Sequence, residues 1–250
     1  MYPMSWRTSF LRVSLAVVAL ASTAYVFIQI SWSKMPGQAY DVGANASGNF
    51  VVIGTDQVDG GRSVYQWDGS KFYQMPGKGG VRVDIDTKNQ PWIVTDKQEI
   101  YRHDGTAWVK LPGSAYDVGC GADGSVYVIG TVAFPGGYKI YKWGGADWAE
   151  VGSQGGIRVD VGNDGNAWVV TDKGSIHQRV GNLWRAYPGY ATDIGIGPKG
   201  EAWVVGKEGR VYQWNTGNWM DVSGAGESIT VGQNNKAYVS NDKQDIYKVN

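Results

Sequence analysis

Residues Trp32–Gly43 read WSKMPGQAYDVG, Trp108–Gly119 read WVKLPGSAYDVG, and Trp184–Gly195 read WRAYPGYATDIG. The three phrases stand 76 residues apart. Each beat holds two related units, aligned on YDVG, RVDI, YDVG, RVDV, TDIG and ITVG. That alignment gives Asp41, Asp84, Asp117, Asp160, Asp193 and Thr230 equivalent positions, at intervals of 43, 33, 43, 33 and 37 residues. Repeats of this length mark propellers, solenoids or arrays.

Within a unit the pattern predicts four strands. A short apolar run is followed by a tight turn such as NDGN (163–166) or ADGS (122–125), the Asp-Gly chemistry of a hairpin. A second strand (PWIV, AWVV or VYVI) and a third (EIYRH, KIYKW or RVYQW) come next. The fourth opens on an aromatic: Phe72, Trp108, Trp148, Trp184 or Trp219. Such a unit cannot cover both of its faces, so neighbours must pack around an axis. Glycine, at 37 of 250 residues, and tryptophan, at 12, are well above ordinary usage, as many short strands and tight turns require.

The sixth unit stops after its third strand at DIYKVN, whereas WSKMPG (32–37) is a fourth strand with no unit before it. Placing residues 32–37 beside 245–249 completes the sixth unit. The expected architecture is therefore all-β, a six-bladed β-propeller of four-stranded antiparallel blades over residues 25–250, closed by its N-terminal strand.

Residues 1–24 carry Arg7 and Arg12, an apolar VSLAVVALA and the small residues STA. This is the pattern of a secretory signal peptide, cut after Ala24 or Ala21. The alternative is a signal anchor, in which case the protein stays at a membrane. Cleavage leaves two more acidic than basic residues and no Lys/Arg-dense stretch, so the electrostatic footprint of a nucleic-acid binder is missing. Cys120 is the single cysteine; it reads as a small turn residue rather than a reactive thiol, and no internal disulfide is possible.

Chemistry-bearing motifs are scarce. His103 and His177 fall in different units at different registers, and there is no HExxH, phosphate loop, nucleophile elbow or dinucleotide fingerprint. No cofactor or metal is expected, and no enzymatic activity. The recurring first-strand Asp reads as a satisfied hydrogen-bond acceptor rather than a catalytic carboxylate. The recurring tryptophans read as packing between units.

Variation points to a binding face. The second-to-third connection is long in units one and three (GTDQVDGGRS, 54–63; GTVAFPGGY, 130–138). It is short in units two, four and six, where Asp96-Lys97, Asp172-Lys173 and Asp242-Lys243 recur. GGVR and GGIR place Arg82 and Arg158 before the next strand on the same rim. The expected sites combine these groups with the aromatic edges of Tyr40 and Tyr116, a chemistry suited to sugars; the competing reading is that Asp-Lys is simply turn chemistry. Asn45 heads an N-glycosylation sequon, NAS, in the first hairpin turn on the opposite face.

Units such as GNDGNAWVVTDKGSIHQRVGNLWRAYPG (162–189) resemble the tectonin repeat: an Asn/Asp-Gly turn, W-V-V, a third strand opened by Ile, then G-N-x-W and P-G. GADGSVYVIG, EIYRHDGTAWVKLPG and GRVYQWNTGNWMDVSG carry the same pattern, and the likeness spans about residues 32–250. It implies a six-bladed propeller and a secreted or surface lectin that recognises microbial glycans such as lipopolysaccharide or methylated sugars. No ligand residue transfers, because the shared motif is structural. ESITVG in unit six departs from the Arg-Val-Asp of its siblings and puts a full sixth site in doubt. Alternatives are a propeller scaffold for a protein partner and an enzyme using the central pore; oligomerisation is left open.

Overall fold

The computed structural model describes residues 30–250; the signal-peptide expectation for residues 1–24 lies outside them. The strand β1 (Trp32–Gln38) precedes the first unit. Unit one contains β2 (Asp41–Ala44), β3 (Phe50–Val58), β4 (Gly61–Trp67) and β5 (Phe72–Gly80). Unit two contains β6 (Arg82–Ile85), β7 (Pro91–Val94), β8 (Glu99–His103) and the first half of β9 (Trp108–Cys120). The second half of β9 opens unit three, followed by β10 (Val126–Phe134), β11 (Gly137–Trp143) and β12 (Trp148–Gly156). Unit four is β13 (Arg158–Val161), β14 (Ala167–Val170), β15 (Ile176–Val180) and β16 (Leu183–Tyr187). Unit five is β17 (Ala191–Ile196), β18 (Ala202–Gly206), β19 (Arg210–Asn215) and β20 (Asn218–Ala225). Unit six supplies β21 (Ser228–Gly232), β22 (Lys236–Ser240) and β23 (Asp245–Val249).

All pairings are antiparallel, and the fold is all-β and propeller-like. Units one, four and five are separate four-stranded sheets, while units two and three form one seven-stranded sheet through the shared β9. β9 pairs with β8 from Trp108 to Ser114 and with β10 from Ala115 to Cys120. β1 pairs with β23, setting Trp32 opposite Val249 and Ser33 opposite Lys248, so it lies beside the last strand of unit six.

The core is divided among clusters that each lie between two neighbouring units. Trp92, Val94 and Ile100 of unit two pack on Ala115, Val118 and Val128 of unit three. Met35 of β1 and Ile246 of β23 pack on Val42, Phe50 and Val52 of unit one. This is how a unit with two apolar faces covers both. The glycine of YDVG follows from that closeness: a Cβ on Gly43 would stand 2.7 Å from Asp84 Cα, and one on Gly119 2.8 Å from Asp160 Cα.

Four of the five tryptophans that open fourth strands tie the outer edges together, whereas the buried indole N–H of Trp108 has no acceptor among the described residues. The indole N–H of Trp148 donates to the Pro112 carbonyl at 2.8 Å, Trp219 to Pro188 at 2.7 Å, Trp184 to Gly152 at 3.3 Å and Trp32 to Val222 at 3.1 Å. Each acceptor belongs to the preceding unit, so these rings pack between units, as the sequence suggests. Cys120 is not a turn residue. It ends β9, is buried, and its thiol is pushed well above the ordinary range by burial and then by the neighbouring Asp84.

Candidate functional site

The first strands of the units run side by side around a narrow central channel, and their recurring acids join each unit to the next. Asp41 accepts the backbone N–H of Val83 at 2.7 Å, Asp84 that of Cys120 at 2.6 Å, and Asp117 that of Val159 at 2.8 Å. Asp160 accepts from Ile196 at 2.5 Å and Asp193 from Ile229 at 2.8 Å. The Thr230 hydroxyl accepts from Ala44 at 3.0 Å, returning to unit one. These acids are satisfied acceptors, as read from the sequence. Burial raises Asp193 to about 6, Asp117 to about 7 and Asp160 to about 8, and raises Asp84 well above its usual range.

Arg82 belongs to this channel rather than to an open rim pocket, and Arg158 reaches into the channel while also lining an open groove between units four and five. Arg82 lies 3.1 Å from Asp41 and 3.7 Å from Asp117; Arg158 lies 3.5 Å from Asp193. Their side chains are only 21% and 24% exposed. In unit six the equivalent residue is Ser228, whose hydroxyl donates to Asp41 at 2.7 Å. The signal that places them is the spacing Arg-x-Asp: residues two apart on a strand share a face, so Arg82 follows Asp84 inward.

The other expected site residues are spread over three unequal sectors. In the first, the long β3–β4 hairpin covers unit two: the Asp96 N–H donates to the Gly60 carbonyl at 3.0 Å, and Lys97 reaches Asp59 at 3.7 Å. Tyr116 is covered on one side by Tyr138, at 4.5 Å between ring centroids. In the second sector, Tyr40 lies beneath the Arg62 guanidinium at 3.9 Å. There Asp242 and Lys243 sit in a turn closed by the Asn241 side chain, which accepts from Lys243 N–H at 3.0 Å and Asp245 N–H at 2.9 Å. For these copies the Asp-Lys phrase is turn chemistry.

In the third sector, Arg158, Asp172 and Lys173 come together. With Thr171, Tyr190, Thr192 and Lys207 they line an open groove of about 650 Å³ between units four and five. The fifth unit's connection shrinks to Gly206-Lys207-Glu208-Gly209 on the unit-five side, while on the other side the Asp172 N–H donates to the Gly136 carbonyl of the long unit-three hairpin at 3.0 Å.

A second kind of groove was not anticipated. Gly37, Gln38, Val52, Thr55, Asp56, Tyr65 and Phe72 line one of about 310 Å³ between β1 and unit one. Gly113, Ser114, Val128, Thr131, Val132, Tyr141 and Trp148 line another of about 310 Å³ between units two and three. Each residue of the first set has its counterpart 76 residues later in the second. The beat that reveals the fold therefore also marks this paired site.

Asn45 is not available to a glycan in the folded protein. Its side chain is buried, and its amide donates to the Asp86 carbonyl at 2.8 Å and to Asn89 Oδ1 at 3.0 Å. Among the described residues no group of three or more His, Cys, Asp or Glu side chains is arranged to hold a metal ion.

Solved structures with this architecture are distant in sequence. A streptogramin B lyase is 13% identical with a TM-score of 0.61, over 88% of this chain and 97% of that one. The WD40 β-propeller domain of Doa1 is 12% identical with a TM-score of 0.59, over 89% and 96%. The GH74 xyloglucanase from Xanthomonas campestris is 15% identical with a TM-score of 0.59, over 84% of this chain and 36% of that one. At these identities the likeness is one of fold alone, and it defines the protein as a β-propeller. Among curated proteins no sequence matches. The Tectonin domain model matches residues 79–247, so the chain belongs to the tectonin family.

Proposed function

We propose that this protein is a secreted, multivalent lectin built as a six-bladed propeller, and that its paired lateral grooves bind sugars on microbial or cell-surface glycans such as lipopolysaccharide or methylated sugars. The pairing of β1 with β23 supports closure by the N-terminal strand, as does the return of the acid-to-backbone bonds from Thr230 to Ala44. Secretion rests on the leader pattern of residues 1–24.

The observation that carries the sugar reading is the duplication of one groove with the same aromatic and hydroxyl groups, Asp56 of the first standing where Val132 stands in the second. Phe72 or Trp148 offers an aromatic wall for the apolar C–H face of a ring, while Thr55 or Thr131 and Tyr65 or Tyr141 offer hydroxyls. Shallow sites of this kind bind weakly one at a time; two on one rigid body gain avidity of roughly 10²- to 10⁴-fold against a multivalent surface. In the first groove the Tyr65 hydroxyl donates to the Asp56 carboxylate, a pair that the second groove lacks because Val132 replaces the acid.

A glycan array on the full mature chain tests this, with a Thr55→Trp/Thr131→Trp double variant that fills both grooves at strand positions. Binding to one glycan class, lost at least tenfold in the filled variant with an unchanged melting temperature, is expected. Silence across neutral, methylated and lipopolysaccharide glycans would reject the reading. The rival scaffold reading draws on Val58 and Val132, exposed in the long hairpins of units one and three; a protein partner released by Val58→Lys/Val132→Lys would favour it.

A further inference from the structure

We propose that the groove between units four and five binds an acidic sugar, holding its phosphate or carboxylate between Lys173 and Lys207 and its ring against Tyr190. The ring's place rests on the sugar-binding reading above; the acid's place rests on the charge of the groove itself.

The argument comes from how this sector departs from its two siblings. At the positions one and two beats of 76 residues earlier, Lys207 is matched by Thr131 and Thr55, and Tyr190 by Ser114 and Gln38. Lys97, the sibling of Lys173, is matched by Asp59 on the overhanging hairpin at 3.7 Å. In unit three the residue equivalent to Asp59 is Pro135, so Lys173 has no such counter-ion. Neither Lys173 nor Lys207 forms an ion pair with a described residue. The departures are coordinated: one new lysine, one lysine relieved of its acid, one added aromatic and one shortened roof, all opening on the same groove of about 650 Å³.

The electrostatics follow. Lys173, Lys207 and Arg158 face the groove against one carboxylate of its lining, Asp172. Arg158 is engaged by Asp193 at 3.5 Å, and its Nε is buried without a hydrogen-bond acceptor. Two ammonium groups across an open groove repel, and an anion between them removes that repulsion and gains charge-assisted hydrogen bonds. Tyr190, 66% exposed, supplies a flat apolar surface beside the cations. A groove of this volume falls within the range that encloses a small ligand. The lateral grooves carry no lysine or arginine in their lining, so the protein has two chemically distinct classes of site.

The test is calorimetric titration of the full mature chain with glucose 6-phosphate, glucuronate, glucose and inorganic phosphate, at low and at physiological salt. At least one acidic sugar is expected to bind tenfold or more tightly than glucose, weakening with salt; which of the two does so separates phosphate from carboxylate. Lys207→Thr, the sibling residue, is expected to weaken that binding tenfold with no change in melting temperature. Tyr190→Ser is expected to weaken the acidic sugar but not inorganic phosphate. Equal affinity for glucose and both acids, or acid binding unchanged in Lys207→Thr, overturns the proposal. Inorganic phosphate binding as tightly as glucose 6-phosphate, without a glucuronate signal, overturns it too. Filling the lateral grooves with Thr55→Trp/Thr131→Trp should leave acidic-sugar binding intact, which keeps its failure separate from that of the neutral-glycan reading.

Discussion

Arg82 reaches across the channel mouth to Asp41, Nη1 to Oδ1 at 3.1 Å, and in doing so links unit two to unit one. Asp117 of unit three lies 3.7 Å from the same guanidinium. One side chain therefore clamps three units where their first strands converge. Truncation to Ala leaves buried Asp41 without its cation, while Asp117 keeps the neighbouring Arg158. Breaking a buried pair in this way costs about 3–5 kcal/mol. Arg82→Ala should lose stability on that scale in urea denaturation, and Arg82→Lys should recover part of it because the charge returns without the fork.

The same acids make stability depend on pH. Burial holds Asp193 at about 6, Asp117 at about 7 and Asp160 at about 8, all above the 3.8 of a free aspartate. A carboxyl with a raised folded value binds its proton more tightly when folded, so protonation favours the folded state. Stability should fall as pH rises from about 4 through these values, then level off above about 8. Urea midpoints at pH 5 and pH 8.5 check this, with the higher midpoint at pH 5. Asp160→Asn should flatten the slope between those two conditions.

Glycines of the repeated YDVG phrase should be separable from glycines of mere turn convenience. A Cβ on Gly43 meets the Asp84 backbone at 2.7 Å, and one on Gly119 meets the Val159 carbonyl at 2.6 Å, whereas one on Gly152 meets nothing within 4 Å. Overpacking against backbone costs about 1–3 kcal/mol. Gly43→Ala and Gly119→Ala should each show a loss of that size. Gly152→Ala should stay within about 0.5 kcal/mol of the parent.

The repeat was legible because one physical requirement recurs at one register. Asp41, Asp84, Asp117, Asp160 and Asp193 each accept a backbone N–H of the next unit, so the chain repeats the residue wherever it repeats the contact. The tryptophan spacing is legible for the same reason. The candidate sites were less so. Arg82 follows a loop in sequence, yet the period-two rule of a strand turns it inward with Asp84, and Arg158 serves both the channel and the groove between units four and five. The Asp-Lys turns look identical in sequence, yet Asp59 lies against Lys97 and no acid lies against Lys173. That difference is set by the residue the overhanging hairpin of the preceding unit carries, Asp59 in unit one and Pro135 in unit three, a relation between units that no single unit records.

Strand β1 offers the most direct test of how the ends of the chain are joined. Met35 is 4% exposed and shares a cluster with Ile246 of β23 and with Val42, Phe50 and Val52 of unit one. If β1 is an integral strand of the sixth unit, its side chains stabilise the whole fold rather than a frayed end. Removing a buried methionine side chain from a packed core costs about 2–5 kcal/mol, because transfer and cavity contributions add. Met35→Ala should therefore lower the single cooperative unfolding transition by that amount, read by near-ultraviolet circular dichroism. Lys34→Ala, whose exposed side chain pairs with Asp245 at 2.8 Å, should change it by less than about 1 kcal/mol. A Met35→Ala variant as stable as the parent would mean that β1 is a dispensable extension and that unit six holds together without it.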